Sequence, residues 1–286
     1  MTVSAPAFAD PEKTPRSGPS PSSGVLNAAT AARLAAGFWT LWATTLLGGT
    51  LLSFRDPGSL PWPPDTLLLF SHLGSSLCLV GAAWMWFLGF SRSPAANTVA
   101  LFTAGMVLGT LGDFFNAGTL QEMFPLPDPV LGGIAAFALG HLCYIAGCLR
   151  AARHVNFASR GRFWGQIMFW QLFALVGWYV VVFRGARGGP TLLVWAALPY
   201  SLLLAGLTGL ASSLSLADRR FIALAVGGIL FLASDLILAF EMFRGTFPHA
   251  THAVWLTYGP AQMLIVYSLG LIGRVECEDV QAMPNA

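Results

Sequence analysis

The feature that most constrains this chain is the alternation of long apolar runs with short polar breaks. Eight runs qualify as membrane spans, at about 34–54, 66–90, 95–117, 129–151, 163–184, 190–212, 220–243 and 252–273. Each is near the roughly 20 residues an α-helix needs to cross a hydrocarbon core of about 30 Å. The breaks carry helix-ending residues: Pro61, Pro63 and Pro64; Pro94; Pro125, Pro127 and Pro129; Gly188, Gly189 and Pro190; Pro248. Only 10% of the 286 residues are charged while 55% are hydrophobic, against about 25% charged in a soluble domain. Water cannot be the only solvent of such a chain. The expected fold class is therefore all-α: a polytopic membrane helix bundle of about eight transmembrane helices, with the lipid bilayer as partner. Short loops make sequence neighbours antiparallel. Residues 1–29, rich in Pro, Ser and Ala, read as a disordered tail; 30–275 as the transmembrane domain; 276–286 as a short second tail.

Arginine and lysine set the orientation. Lys13, Arg16, Arg33, Arg92, Arg150, Arg153, Arg160, Arg162, Arg219, Arg220 and Arg274 fall on one side, and only Arg55, Arg184, Arg187 and Arg244 on the other. The first side is expected to be cytoplasmic, with both termini on it, in a bacterial inner membrane. A net charge of +2 gives nucleic acid no footprint. Cys78, Cys143, Cys148 and Cys277 include no CxxC pair, so neither a zinc site nor a disulfide framework is signalled.

Against this background a few polar residues stand out. Asp113 and Asp235 lie well inside apolar runs, where an acid costs roughly 2.5–3.5 kcal/mol on insertion scales. His72, His141 and Gln262 share the predicament. At a rise of about 1.5 Å per residue, all five fall in the central-to-outer part of the membrane although their helices run in alternating directions. That agreement predicts one shared polar cavity opening away from the arginine-rich side.

A repeat is also suggested. Asp113 precedes His141 by 28 residues and Asp235 precedes Gln262 by 27. "GMVLGTLGDFF" and "AVGGILFLASDLI" are both glycine-containing apolar runs ending in a small residue and Asp. The pattern predicts four-plus-four parallel repeats about an axis along the membrane normal. Gly105 and Gly109 form a GxxxG pair followed by Gly112, and Gly132, Gly133 and Gly140 line the fourth run; such glycines let backbones approach, and they also leave room for a ligand.

The stretches "LGTLGDFFNAG", "GGIAAFALGHLCY", "GGILFLASDLILAF" and "YGPAQMLIVYSL" resemble, in order and spacing, the signatures of the YhhN/TMEM86 family of eight-helix membrane proteins. Characterised members of that family are lysoplasmalogenases. The resemblance implies a catalytic pair, Asp113 and Asp235, with Gly112, Gly133, Phe137, His141, Tyr144, Ser234, Tyr258 and Gln262 as supporting positions; His72 joins them by its depth. It also implies a lysophospholipid substrate; no cofactor or metal is expected. One departure is visible: where family members often have Lys-Pro entering the second helix, this chain has "LPWPPDTLLLF", with Asp65 as the only charge.

The chemistry so implied is hydrolysis of a vinyl ether, in which protonation at carbon gives an oxocarbenium ion that water captures. Two carboxylates can divide acid and base roles, as in glycosidases. Other readings stay open at this level. An intramembrane Asp can bond across helices, and His141, Tyr258 and Gln262 can be structural. His249 and His252 read as interfacial, Glu122 and Glu241 as solvated. A metal held by Asp113, His141 and Asp235 is chemically feasible. A small proton-coupled transporter would use the same buried acids. No GxSxG or HExxH motif is present.

Overall fold

The computed structural model describes residues 25–282 apart from 56–61, 122, 126–127, 187–188 and 190. Most of the expected N-terminal tail, with Lys13 and Arg16, lies outside the described residues, as do Glu122 and Arg187. Eight long helices follow one another: α1 (Ala28–Ser53), α2 (Pro64–Phe90), α3 (Ala96–Asn116), α4 (Pro129–Ala151), α5 (Arg160–Gly177), α6 (Leu192–Ala217), α7 (Ile222–Arg244) and α8 (Ala250–Ala282). α5 continues into a π-helical segment, Trp178–Phe183. Among the described residues no strand occurs.

The elements form where the sequence supplies starts and stops. Asn27, Asp128 and Ser159 cap α1, α4 and α5 by accepting from Thr30, Val130 and Arg162 backbone N–H groups. Pro64 and Pro129 occupy first-turn positions, where a missing N–H is harmless. Seven of the helices, α2 through α8, are long and apolar enough to cross a membrane, which makes the protein an integral, multi-pass one. The more Ala- and Thr-rich α1 runs antiparallel along α2. Gly49 lies on Ser71, Gly74 on Thr45, Gly81 on Phe38 and Gly89 on Ala31, while Leu34, Leu41, Leu47 and Leu51 face outward. α6 and α8 extend beyond their expected ends, α8 through Ala282 and so into the segment read from sequence as a tail. Arg220 bonds Asp218 at 2.9 Å and Glu278 at 2.7 Å, tying the α6–α7 turn to that extension.

The packing repeats. α1 packs on α2 as α5 does on α6, α2 on α3 as α6 on α7, α3 on α4 as α7 on α8, and α2 on α8 as α6 on α4. Local detail follows the same register. A Cβ on Gly105 would stand 3.0 Å from the Gly140 carbonyl oxygen, and one on Gly227 would stand 2.9 Å from that of Ala261. Gly227 follows Gly105 by the interval separating Asp235 from Asp113, and Ala261 follows Gly140 by the interval separating Gln262 from His141. α3/α4 and α7/α8 are thus equivalent close-packed pairs, each requiring a glycine where backbones meet. The repeats run parallel, as the matched aspartates suggested.

Candidate active site

The N-terminal ends of α2, α4, α6 and α8 and the C-terminal ends of α3 and α7 meet at one end of the bundle. Between them lies a cavity of about 440 Å³, within the usual range for small-molecule sites. Its end carries Arg55, Arg184 and Arg244, opposite Arg92, Arg150, Arg160 and Arg219. Asp65 is on the rim, mostly apolar side chains form the walls, and Asp113, Phe137, Tyr200, Asp235 and Tyr258 form the floor. The shared cavity predicted from helix depth is present at the arginine-poor end.

Asp113 is 5% exposed. Its Oδ2 accepts from Ser76 Oγ at 2.6 Å and from Tyr258 Oη at 3.1 Å. Behind Tyr258 the donors line up: Gln262 Nε2 donates to Tyr258 Oη at 3.1 Å, and Tyr144 Oη donates to Gln262 Oε1 at 3.0 Å. Every hydrogen in this chain points toward Asp113.

Asp235 is half-buried, and its Oδ2 accepts from Tyr200 Oη. His141 Nε2 stands 3.4 Å from Tyr200 Oη. Because the phenol hydrogen is committed to Asp235, His141 Nε2 must be the donor, which assigns its tautomer. His141 Nδ1 then remains a buried acceptor with no partner among the described residues. Ser234 Oγ reaches the Phe231 carbonyl oxygen at 2.8 Å and Asp235 Oδ1 at 3.3 Å. It carries one hydrogen, and the shorter bond claims it.

The two half-sites occupy equivalent places in the repeats. Each aspartate takes a hydroxyl from the preceding helix, Ser76 of α2 or Tyr200 of α6. His141 and Gln262 correspond, as do Phe137 and Tyr258. The expectation that His141 and Gln262 line the cavity needs correction. They sit beneath it, 1% exposed, because the rings of Phe137 and Tyr258 cover them. His72 does line it, stacked on Trp255 with centroids 4.1 Å apart and planes 8° apart; its Nε2 has no partner among the described residues.

Gly112 and Gly133 shape the floor. A Cβ at 112 would meet the Phe137 ring at 2.6 Å, and one at 133 would collide with the side chain of Asn116, a cavity-lining residue. Ser76 and Tyr200 are absent from the residues expected from sequence. His252 bonds Ser53 at 2.8 Å and stacks on Phe54 near the same end of the bundle, and Glu241 accepts from Thr246. Among the described residues no group of three or more His, Cys, Asp or Glu is placed to hold a metal ion.

A family model described as the YhhN family matches residues 69–269. That range takes in His72, Ser76, both aspartates and every residue of the two donor chains. No curated protein and no solved structure matches the chain.

Proposed function

The chain belongs to the YhhN family, and on that premise we propose that it is a membrane-embedded hydrolase of lysoplasmalogen-type lysophospholipids. It cleaves their vinyl ether to a fatty aldehyde and a glycerophosphocholine or glycerophosphoethanolamine. One observation carries this reading: two aspartates on the floor of one cavity, each at the end of its own chain of donors.

The donor geometry divides the roles. Asp113, with Oδ2 accepting two hydroxyls, is the ionised partner and the base. Asp235 is the acid, its proton on Oδ1, where Ser234 Oγ has a lone pair but no free hydrogen to offer. Two like charges in one mostly apolar cavity are unfavourable, so a single proton shared by the pair is the economical state. The proton passes from Asp235 to the alkene carbon next to the alkyl chain, leaving an oxocarbenium ion at the carbon bearing oxygen. Water adds there and gives its proton to Asp113, forming a hemiacetal. The hemiacetal hydroxyl returns a proton to Asp235 as the carbon–oxygen bond breaks. Asp113 protonates the departing glycerol oxygen, and both carboxyls regain their starting states.

The carrier reading is less well supported, because it needs access from both faces. Below the floor, Phe137, Phe231 and Tyr144 pack edge and face with His141 and Tyr258, and α3 and α7 run unbroken. We place both termini in the cytoplasm and the cavity mouth on the opposite face, in a bacterial inner membrane, from the arginine distribution. The test is aldehyde release from a 1-alkenyl lysophospholipid by purified protein in detergent. Turnover without sealed vesicles supports the hydrolase, and its absence from folded protein refutes it.

A further inference from the structure

Two features have no part in the mechanism so far. One is the π-helical segment Trp178–Phe183 that ends α5. π-turns inside helices frequently mark functional sites. The other is a second, small cavity of about 80 Å³, on the far side of Asp235 from the first. Phe173, Gly177, Trp178, Leu232 and Leu236 line it, and it shares only Ala197, Tyr200, Asp235 and Ala239 with the large cavity. Two of those four partition residues are alanines.

The small cavity holds nothing for a head group. Its one hydroxyl besides Tyr200, that of Ser201, donates to the Leu198 carbonyl oxygen at 2.9 Å. Its outer side is the most lipid-facing part of the bundle. Within its α-helical residues α5 buries only Ala174, while Phe169, Leu172, Phe173 and Val176 are exposed. Nor do α5 and α7 close against each other here. A Cβ at Gly177 would only touch Leu236, at 3.5 Å. The helices are tied further out, where Arg244 Nε donates to the Val181 carbonyl oxygen at 3.3 Å and Arg244 Nη2 to that of Val180. A window thus lies between α5 and α7 at the level of Asp235, spanned above by the arginine tie.

We infer that this window is the binding slot for the proximal alkyl chain of a lipid substrate, threaded from the bilayer past Asp235 with its head group in the large cavity. The inference rests on the hydrolase reading for the identity of the lipid. It also agrees with the division of roles above. In a vinyl ether the carbon that accepts the proton is the one attached to the chain, and Asp235 is the carboxyl that borders the slot. Asp113, walled by Ser76 and Tyr258, does not border it. The slot is far smaller than a lipid chain, so the distal chain stays in the membrane.

Two measurements test it. In the first, Ala174→Leu and Gly177→Leu, which fill the window from α5, a helix that carries neither aspartate, are assayed with 1-hexadecenyl and 1-propenyl lysophospholipids. The expected result is a fall in kcat/KM of about 10-fold or more for the long chain and less than about 2-fold for the short one, since pocket contacts of this size discriminate by such factors. Equal loss on both substrates, or none on either, overturns the slot. The second needs no turnover. A saturated 1-alkyl lysophospholipid with a diazirine near its ether is photolysed with the wild-type protein in detergent, and the labelled residues are mapped by mass spectrometry. Labelling of Phe173, Trp178 or Leu236 supports the slot even if no aldehyde is ever released, in which case the chemistry fails and the slot stands. Labelling confined to other lipid-facing helices overturns it.

Discussion

If Asp113 is the ionised member of the pair, removing its charge and removing the Ser76 hydroxyl must not be independent. Ser76 is 2% exposed and donates to Asp113 Oδ2 at 2.6 Å across the α2–α3 interface. A hydrogen bond to a charged acceptor contributes about 1.5–3 kcal/mol, whereas neutral interhelical bonds in a membrane protein average about 0.6 kcal/mol. Asp113→Asn keeps an oxygen acceptor for Ser76, exchanges the other oxygen for an amide donor, and removes the charge. A double-mutant cycle of Ser76→Ala with Asp113→Asn therefore isolates what the charge adds, roughly 1–2 kcal/mol, the difference between those two figures. The assay is equilibrium unfolding of all four proteins in mixed detergent–dodecyl sulfate micelles, with helix content as readout. Independent sites add within about 0.3–0.5 kcal/mol. A coupling inside that margin means the Ser76 bond gains nothing from charge, and assigning Asp113 as the carboxylate is then wrong. The pseudo-symmetric control is Tyr200→Phe with Asp235→Asn, where a protonated Asp235 has no charge to lose and the coupling should stay within the additivity margin of about 0.3–0.5 kcal/mol.

Three further outcomes are expected. Tyr200→Phe removes the donor that stabilises the Asp235 carboxylate as its proton leaves, so kcat should fall about 10²–10³-fold with KM little changed; a KM effect alone would contradict that role. Gln262→Leu strips Tyr144 of its acceptor and Tyr258 of a donor and should cost about 1–3 kcal/mol in the same unfolding assay, while a neutral result would mean the chain of donors is not formed. Gly105→Leu drives a side chain into the Gly140 carbonyl and the Tyr144 ring and should destabilise by at least about 1–3 kcal/mol, as should Gly227→Leu at the equivalent α7–α8 contact; unequal behaviour of the two would weaken the repeat.

Much of this architecture is legible in the sequence, for physical reasons. Span boundaries follow from proline and glycine at the breaks, since neither residue sits easily inside a helix, and the observed helices begin and end within a few residues of them except at α1, α6 and α8. The first and last of these differ because helical hydrogen bonding does not stop where hydropathy falls: Ala-rich 28–33 and the polar stretch 274–282 are both good helix formers. The aspartate pair stands out because its burial is costly. Depth brought His141 and Gln262 to the level of Tyr200 and Tyr258 along the bundle but not to the cavity itself, and whether a buried polar group meets a cavity or lies one layer behind it depends on which rings intervene. Ser76 and Tyr200 escaped because a hydroxyl in an apolar helix is inexpensive and carries no spacing signal. The depth rule would have found Tyr200, which lies eight residues into α6, about 12 Å, matching Asp235 nine residues from the end of α7. The π-segment has no proline or glycine within it and left no trace.

The proposed mechanism has Asp113 and Asp235 hydrolyse a vinyl ether together, one as base and one as acid. The most direct measurement is aldehyde release from a 1-alkenyl lysophospholipid in deuterated water by purified wild type, Asp113→Asn and Asp235→Asn. Wild type should release aldehyde carrying one deuterium beside the carbonyl. Asp235→Asn should show no protonation at all. Asp113→Asn should show stalled hydrolysis with slow deuterium exchange into recovered substrate, because the acid remains but water is not activated. Wild-type-like release by either variant would refute the carboxylate pair, and exchange appearing in Asp235→Asn instead would reverse the assignment of acid and base.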